Sequence, residues 1–155
     1  MILEIDGWKF QVFPIATRKY YAKEYSEHCS CAYCRNFYEA VDAKYPELRG
    51  FLDRFGVHIE APDEMISFKP TLCANYYSVC GEILEQGDDP IVLDGISVEP
   101  MTLEEAMVDT DLDPCFFLYV STMDLPWVLD EPMETAVSPA KEQDAISRLL
   151  RRWIK

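Results

Sequence analysis

The residues best suited to chemistry in this chain are gathered in one short run, His28-Cys29-Ser30-Cys31-Ala32-Tyr33-Cys34. Its three thiols fall within six residues, spaced C-x-C-x-x-C. A soft metal ion such as zinc takes four thiolate or imidazole ligands in a tetrahedron, and a closely spaced loop can supply two or three of them. Cys29, Cys31 and Cys34 are the candidate ligands. His28, Cys73, Cys80 or Cys115 is the candidate fourth. Iron–sulfur clusters also want thiolates, but their usual spacings are C-x-x-C-x-x-C or wider, and this run does not match them. No second C-x-x-C or H-x-x-x-H pair follows downstream.

Two other chemistries compete for the same residues. Cys31 and Cys34 form a C-x-x-C at an expected helix start, where free N–H groups favour a thiolate and lower the thiol pKa; that is a thiol-redox arrangement. The polar residues Lys23–His28 before it do not read as the strand that a thioredoxin-type motif follows. Core packing is the third reading and the leading one, because Cys34 shares a helical stripe with Phe37, Tyr38 and Val41 and buried cysteine is a common core residue. Cys73 and Cys80, seven residues apart along one extended strand, are too distant to bridge each other.

The remaining constellations are weaker. Of the two histidines, His28 and His58, neither stands beside a nucleophile in a recognisable catalytic turn. Asp109, Asp111 and Asp113 spell D-x-D-x-D, but an EF-hand needs glycine at the sixth loop position and glutamate at the twelfth, where this chain has Pro114 and Val120. A solvated acidic loop is the expectation. Phosphate-binding glycine loops and H-E-x-x-H are missing from the sequence. Trp127, in Pro126-Trp127-Val128-Leu129-Asp130-Glu131-Pro132, reads first as a plug fixing a loop over the core and second as a binding surface.

The elements that must position these residues follow from periodicity. Ile2–Ile5 and Trp8–Phe13 flank Asp6-Gly7, and Ile91–Leu93 and Ile96–Val98 flank Asp94-Gly95; Asp-Gly suits a two-residue hairpin turn. Cys34, Phe37, Tyr38, Val41 and Tyr45 trace one face of a helix starting near Ser30. Pro46 opens a second helix, on which Leu48, Phe51, Leu52 and Phe55 repeat the stripe before Gly56. Met65–Lys69 and Tyr76–Leu84 read as strands, and Glu104–Val108 as a helical turn after Thr102. Cys115–Val120 is apolar without alternation, as expected of a central strand covered on both faces. Ser138-Pro139 introduces a last helix with Ile146, Leu149, Leu150 and Trp153 on its apolar stripe. The expected fold is α+β: a mainly antiparallel sheet with a helical hairpin and a C-terminal helix packed on it, as one domain over residues 1–155.

Length and composition set the outer bounds. The 155 residues are 49 % hydrophobic and 27 % charged, which fits an ordinary globular domain and excludes disorder. No apolar run is long enough for a membrane span. Met1–Ile5, with Glu4 and then Asp6, lacks the basic start and apolar core of a signal peptide, so a cytoplasmic protein is expected. The net charge is −14. It is concentrated: residues 56–140 hold one basic residue, Lys69, against eighteen acidic ones, while residues 1–55 are neutral and 141–155 carry a net +3. Such a field repels nucleic acid and anionic lipid and attracts a basic protein surface.

Cys29-x-Cys31-x-x-Cys34-x-Asn36-Phe37, with Phe55-Gly56-Val57 after two helices and Leu125-Pro126-Trp127-Val128-Leu129 near the end, resembles a family of small uncharacterised bacterial proteins. The resemblance runs from Tyr20 to about Pro132 and implies a bacterial, cytosolic domain; it brings no activity, cofactor or catalytic residue. The functional expectation is a non-enzymatic acidic protein that binds a basic partner surface. The alternative is a zinc-binding or thiol-redox protein using Cys29, Cys31 and Cys34.

Overall fold

The computed structural model describes residues 1–25, 29–69 and 72–133. In chain order the elements are β1 (Ile2–Ile5), β2 (Trp8–Val12), α1 (Pro14–Tyr25), α2 (Ala32–Lys44), α3 (Pro46–Phe55), β3 (Glu64–Lys69), β4 (Leu72–Glu85), β5 (Ile91–Leu93), β6 (Ile96–Thr102), α4 (Leu103–Ala106) and β7 (Cys115–Asp124). The strands form one antiparallel sheet in the order β1-β2-β4-β7-β6-β5, with β3 also paired to β4. The α+β expectation holds. Both Asp-Gly turns close hairpins, with φ of 48° and 86° at Asp6 and Gly7 and of 52° and 79° at Asp94 and Gly95.

β4 is the spine of the sheet. Its Leu72–Tyr76 stretch pairs with β3 and its Gly81–Glu85 stretch with β2, both on the edge opposite β7. This leaves Tyr77–Cys80 without a strand on that edge, where unpaired backbone groups would be costly. Side chains and chain ends fill the gap. The Ser78 N–H donates to the Asp63 carboxylate at 2.7 Å and its carbonyl accepts from the Tyr21 hydroxyl at 2.8 Å. The Cys80 N–H donates to Thr17 Oγ1 at 3.0 Å, and its carbonyl accepts from the Phe13 N–H at 2.9 Å. Burial pushes the Asp63 carboxyl above the usual carboxylate range, against the opposing pull of its hydrogen bonds.

Helices α1 to α3 contribute to the core on one face, and α4 lies on the other. Phe10 of β2 stacks on Phe116 of β7 with centroids 5.2 Å apart and meets Phe55 of α3 edge-on at 5.4 Å. Each such ring contributes roughly 1.5–3 kcal/mol by leaving water. Along β7, Phe116, Leu118 and Val120 join this core, while Phe117 turns to the other face and packs with Ala106 and Val108. That strand is interior and covered on both faces at Phe116–Phe117, as its unbroken apolar run predicts.

Two features depart from the periodicity. α1 is a full helix where none was expected, because its apolar residues mark no single face: Ile15 is 69 % exposed while Thr17 is buried. The buried slot of that first turn goes to a hydroxyl that hydrogen-bonds backbone. β4 starts at Leu72, four residues earlier than its alternation shows, since the polar Asn75 is buried there with its Nδ2 donating to the Tyr77 hydroxyl at 3.1 Å. The C-terminal helix expected after Ser138, and His28, lie outside the described residues. Among the described residues no helix is long and apolar enough to cross a membrane.

Candidate metal centre

Helix α2 brings the thiols together through its own first turn. Cys31 is the N-cap, in extended conformation (φ −66°, ψ 160°), and makes no side-chain cap hydrogen bond. Cys34 is then the third helical residue. N-cap and third-residue side chains lie next to each other above the free N–H groups, the geometry that lets a capping box close. C-x-x-C at this point therefore puts two sulfurs side by side. Cys29 reaches the same spot from the preceding loop, and the Cys31 N–H lies 3.5 Å from its Sγ.

The three Sγ atoms lie within 4.8 Å of one another. In a tetrahedral site with Zn–S bonds of about 2.3 Å, neighbouring sulfurs are about 3.8 Å apart, so closing on a metal asks for shifts of about 1 Å or less. A disulfide, with S–S of about 2.05 Å, asks for considerably more. Among the described residues, this is the one group of three ligand-type side chains that converges; Asp109, Asp111 and Asp113 do not.

Burial and the neighbouring thiols set the electrostatics at Cys34. The helix start should lower the Cys34 pKa, yet the thiol is pushed well up, first by burial and then by Cys31 and Cys29 beside it. A bound cation would offset the charge of three thiolates held this close. Tyr38 is raised by burial and then by Cys34 and Cys29, and its hydroxyl donates to the Cys29 carbonyl at 2.9 Å.

A second segment, 125–131, forms the outer wall. Asn36, 1 % exposed, clamps it: Nδ2 donates to the Pro126 carbonyl at 3.1 Å and Oδ1 accepts from the Val128 N–H at 2.7 Å. Arg35 donates through Nε to the Ser30 carbonyl at 2.9 Å and pairs with Glu131 at 2.6 Å. Trp127, Leu129 and Cys31 pack around Ala32 and Tyr33, with the Trp127 indole edge-on to Tyr33 at 6.3 Å and its Nε1 donating to the Glu131 carbonyl at 2.9 Å. Trp127 is half-buried in this small cluster, apart from the main core, and the loop that carries it runs beside the thiols.

The core-packing reading places the three cysteines poorly. Cys29 is exposed, Cys31 and Cys34 are half-buried, and the main core takes Phe37, Ala40 and Val41 of α2 without Cys34. Nor does the cluster recruit Cys73, Cys80 or Cys115 as a fourth ligand. Cys73 is buried on the helix-covered face with its thiol pushed up to about 12 by burial, and Cys80 and Cys115 pair across β4 and β7.

Elsewhere, a groove of about 450 Å³ is lined by Arg18, Tyr21, Arg49, Asp53 and His58. Arg49 is bound there by Asp42 and Glu60, His58 Nδ1 lies 2.6 Å from Glu60, and Arg18 reaches the Asp53 carbonyl at 3.5 Å. No family model, curated protein or solved structure matches this chain.

Proposed function

We propose that the protein is a thiolate metal-binding protein that holds one zinc ion through Cys29, Cys31 and Cys34, with His28 or a water molecule in the fourth position. The observation that carries this reading is the approach of three Sγ atoms to within 4.8 Å at a helix start. Protonated thiols gain little from such crowding. A divalent soft cation turns it into a site, because it stabilises all three thiolates at once and draws further support from the helix N-terminus.

The test is metal content by mass spectrometry on tag-free protein, followed by zinc titration of the metal-stripped chain. One equivalent is expected for the parent and none for the triple Cys→Ser variant. A parent whose thiols react equally fast with and without zinc would end the proposal. His28→Ala separates the two forms of the fourth position: affinity falls where the imidazole is a ligand and holds where water is.

A second reading rests on the surface charge. Glu82, Glu85, Asp88 and Asp89 are exposed around the β4–β5 connection, and Asp109, Asp111 and Asp113 are exposed before β7. This acidic surface suits a basic protein partner, held by an association that weakens as salt rises. Capture that is the same at low and high salt would exclude it.

A further inference from the structure

Two thiols outside the cluster face each other directly. Cys80 and Cys115 are register partners across β4 and β7. The Gly81 N–H donates to the Pro114 carbonyl at 3.0 Å, joining the residues just beyond the pair, while the N–H and C=O of Cys80 itself bond to Thr17 and Phe13 on the opposite edge. The same holds two residues along, where Ser78 bonds to Asp63 and Tyr21 rather than to β7. Cys80 and Cys115 are therefore a non-hydrogen-bonded pair, the antiparallel type whose Cα atoms approach to about 4.5 Å. That separation is inside the roughly 4.4–6.8 Å that disulfides span, and register partners project to the same face.

The surroundings suit a slow, selective dithiol. Cys115 is half-exposed and Cys80 is 7 % exposed. Burial raises both thiols, and the Asp113 carboxylate raises both further. Protonated at neutral pH, they resist adventitious oxidation, since the thiolate is the nucleophile.

We propose that Cys80 and Cys115 form a reversible cross-strand disulfide, a thiol-exchange site independent of the Cys29–Cys34 cluster, with a small-molecule disulfide as oxidant. Cys115, the more accessible, loses its proton and attacks one sulfur of the small disulfide; a Cys115 mixed disulfide forms and one small thiolate leaves. The Cys80 thiolate then attacks Cys115 Sγ, forming the Cys80–Cys115 bond, breaking the mixed disulfide and releasing the second thiolate. The two cysteine protons end on the two released thiols, and two electrons pass from the pair to the small disulfide. The bond fastens the start of β7, directly after the acidic 109–113 loop, to β4.

The test incubates the full chain with oxidised glutathione between pH 7 and pH 9, quenches by alkylation, digests at acidic residues and sequences the linked peptides. The expected product is a Cys80–Cys115 link, two hydrogens lighter than the dithiol, formed faster as pH rises and reversed by dithiothreitol. Cys73→Ser should keep the link, and Cys80→Ser should stop at the Cys115 mixed disulfide. The parent chain suffices should a variant fail to fold, because the Cys29–Cys34 thiols fall in a different peptide and fragmentation between Cys73 and Cys80, which share the peptide 65–82, places the link. A parent that halts at the mixed disulfide, or whose Cys80 and Cys115 both remain alkylatable, overturns the proposal.

Discussion

Asn36→Ala tests whether the 125–131 segment is held against the thiol-bearing turn by hydrogen bonding. The native carboxamide makes two bonds to that segment, at 3.1 Å to the Pro126 carbonyl and 2.7 Å from the Val128 N–H, from a side chain that is 1 % exposed. Each is worth about 1 kcal/mol net, and an orphaned group kept from water costs about 1–3 kcal/mol. Pro126 and Val128 are themselves exposed, so the freed groups can reach solvent and the lower value applies to each, about 2 kcal/mol in total. For a chain of this size that lowers the unfolding midpoint by roughly 4–8 °C. Loosening the loop also withdraws Trp127 from the packing around Cys31, and zinc affinity should fall roughly tenfold, as when outer-sphere support is lost. Thermal melts with and without zinc, and competition against a chromophoric chelator, read both effects. A variant that melts with the parent and binds zinc as tightly would refute the reasoning and leave the loop held by Trp127 packing and the Arg35–Glu131 pair.

Two further substitutions examine the sheet. At Gly81, where φ is 152°, a Cβ would collide with the Gln11 carbonyl oxygen, whereas at Gly95, with φ 79°, it would meet nothing within 4 Å. Gly95→Ala should cost about 1–2 kcal/mol of backbone strain, and Gly81→Ala at least about 2 kcal/mol more by forcing β2 from β4; equal costs in urea titration would contradict the collision. Asp63→Asn examines the buried carboxyl. Its folded-state pKa is raised by burial, so the stability it contributes is full below the ordinary carboxylate value of about 4 and is lost as pH rises through the raised value. Asparagine does not titrate, so the variant should gain on the parent between pH 4 and pH 7 at fixed ionic strength, and a gap that stays constant or moves the other way would refute the assignment.

What could be read from the sequence and what could not divides along physical lines. The α2–α3 hairpin was legible because Phe37, Val41, Leu48, Leu52 and Phe55 do nothing but fill core, and their spacing records it. α1 was not, because Thr17 and Tyr21 are buried for their hydroxyls, which complete the β4 edge, and a hydropathy stripe carries no such signal. The thiol trio was legible as composition and its convergence was not assured. Cys34 shares the stripe by spacing but is half-buried, and the main core takes Phe37 and Val41 without it. Asn36 was invisible as a clamp, since its partners stand 90 and 92 residues away. The one available signal was a polar residue flanked by the stripe residues Cys34 and Phe37.

The acidic surface and the thiol cluster entered as rival explanations of the chain, and the electrostatics joins them. A net charge of −14 raises the cost of every thiolate and concentrates cations near the surface, both within about a Debye length of 8–10 Å. At the cluster these effects have opposite consequences for the bare and loaded forms. Without metal, burial and the neighbouring thiols keep Cys34 protonated, which makes it a poor nucleophile. With zinc, the same field favours the divalent ion, and thiolate charge becomes compensated. Cys80 and Cys115 share the first consequence through Asp113 but have no third thiol to offer a metal, and their register suits a bond to each other. The two proposals thus assign coordination to one end of α2 and exchange to β4 and β7, by the number of sulfurs that the fold brings within reach.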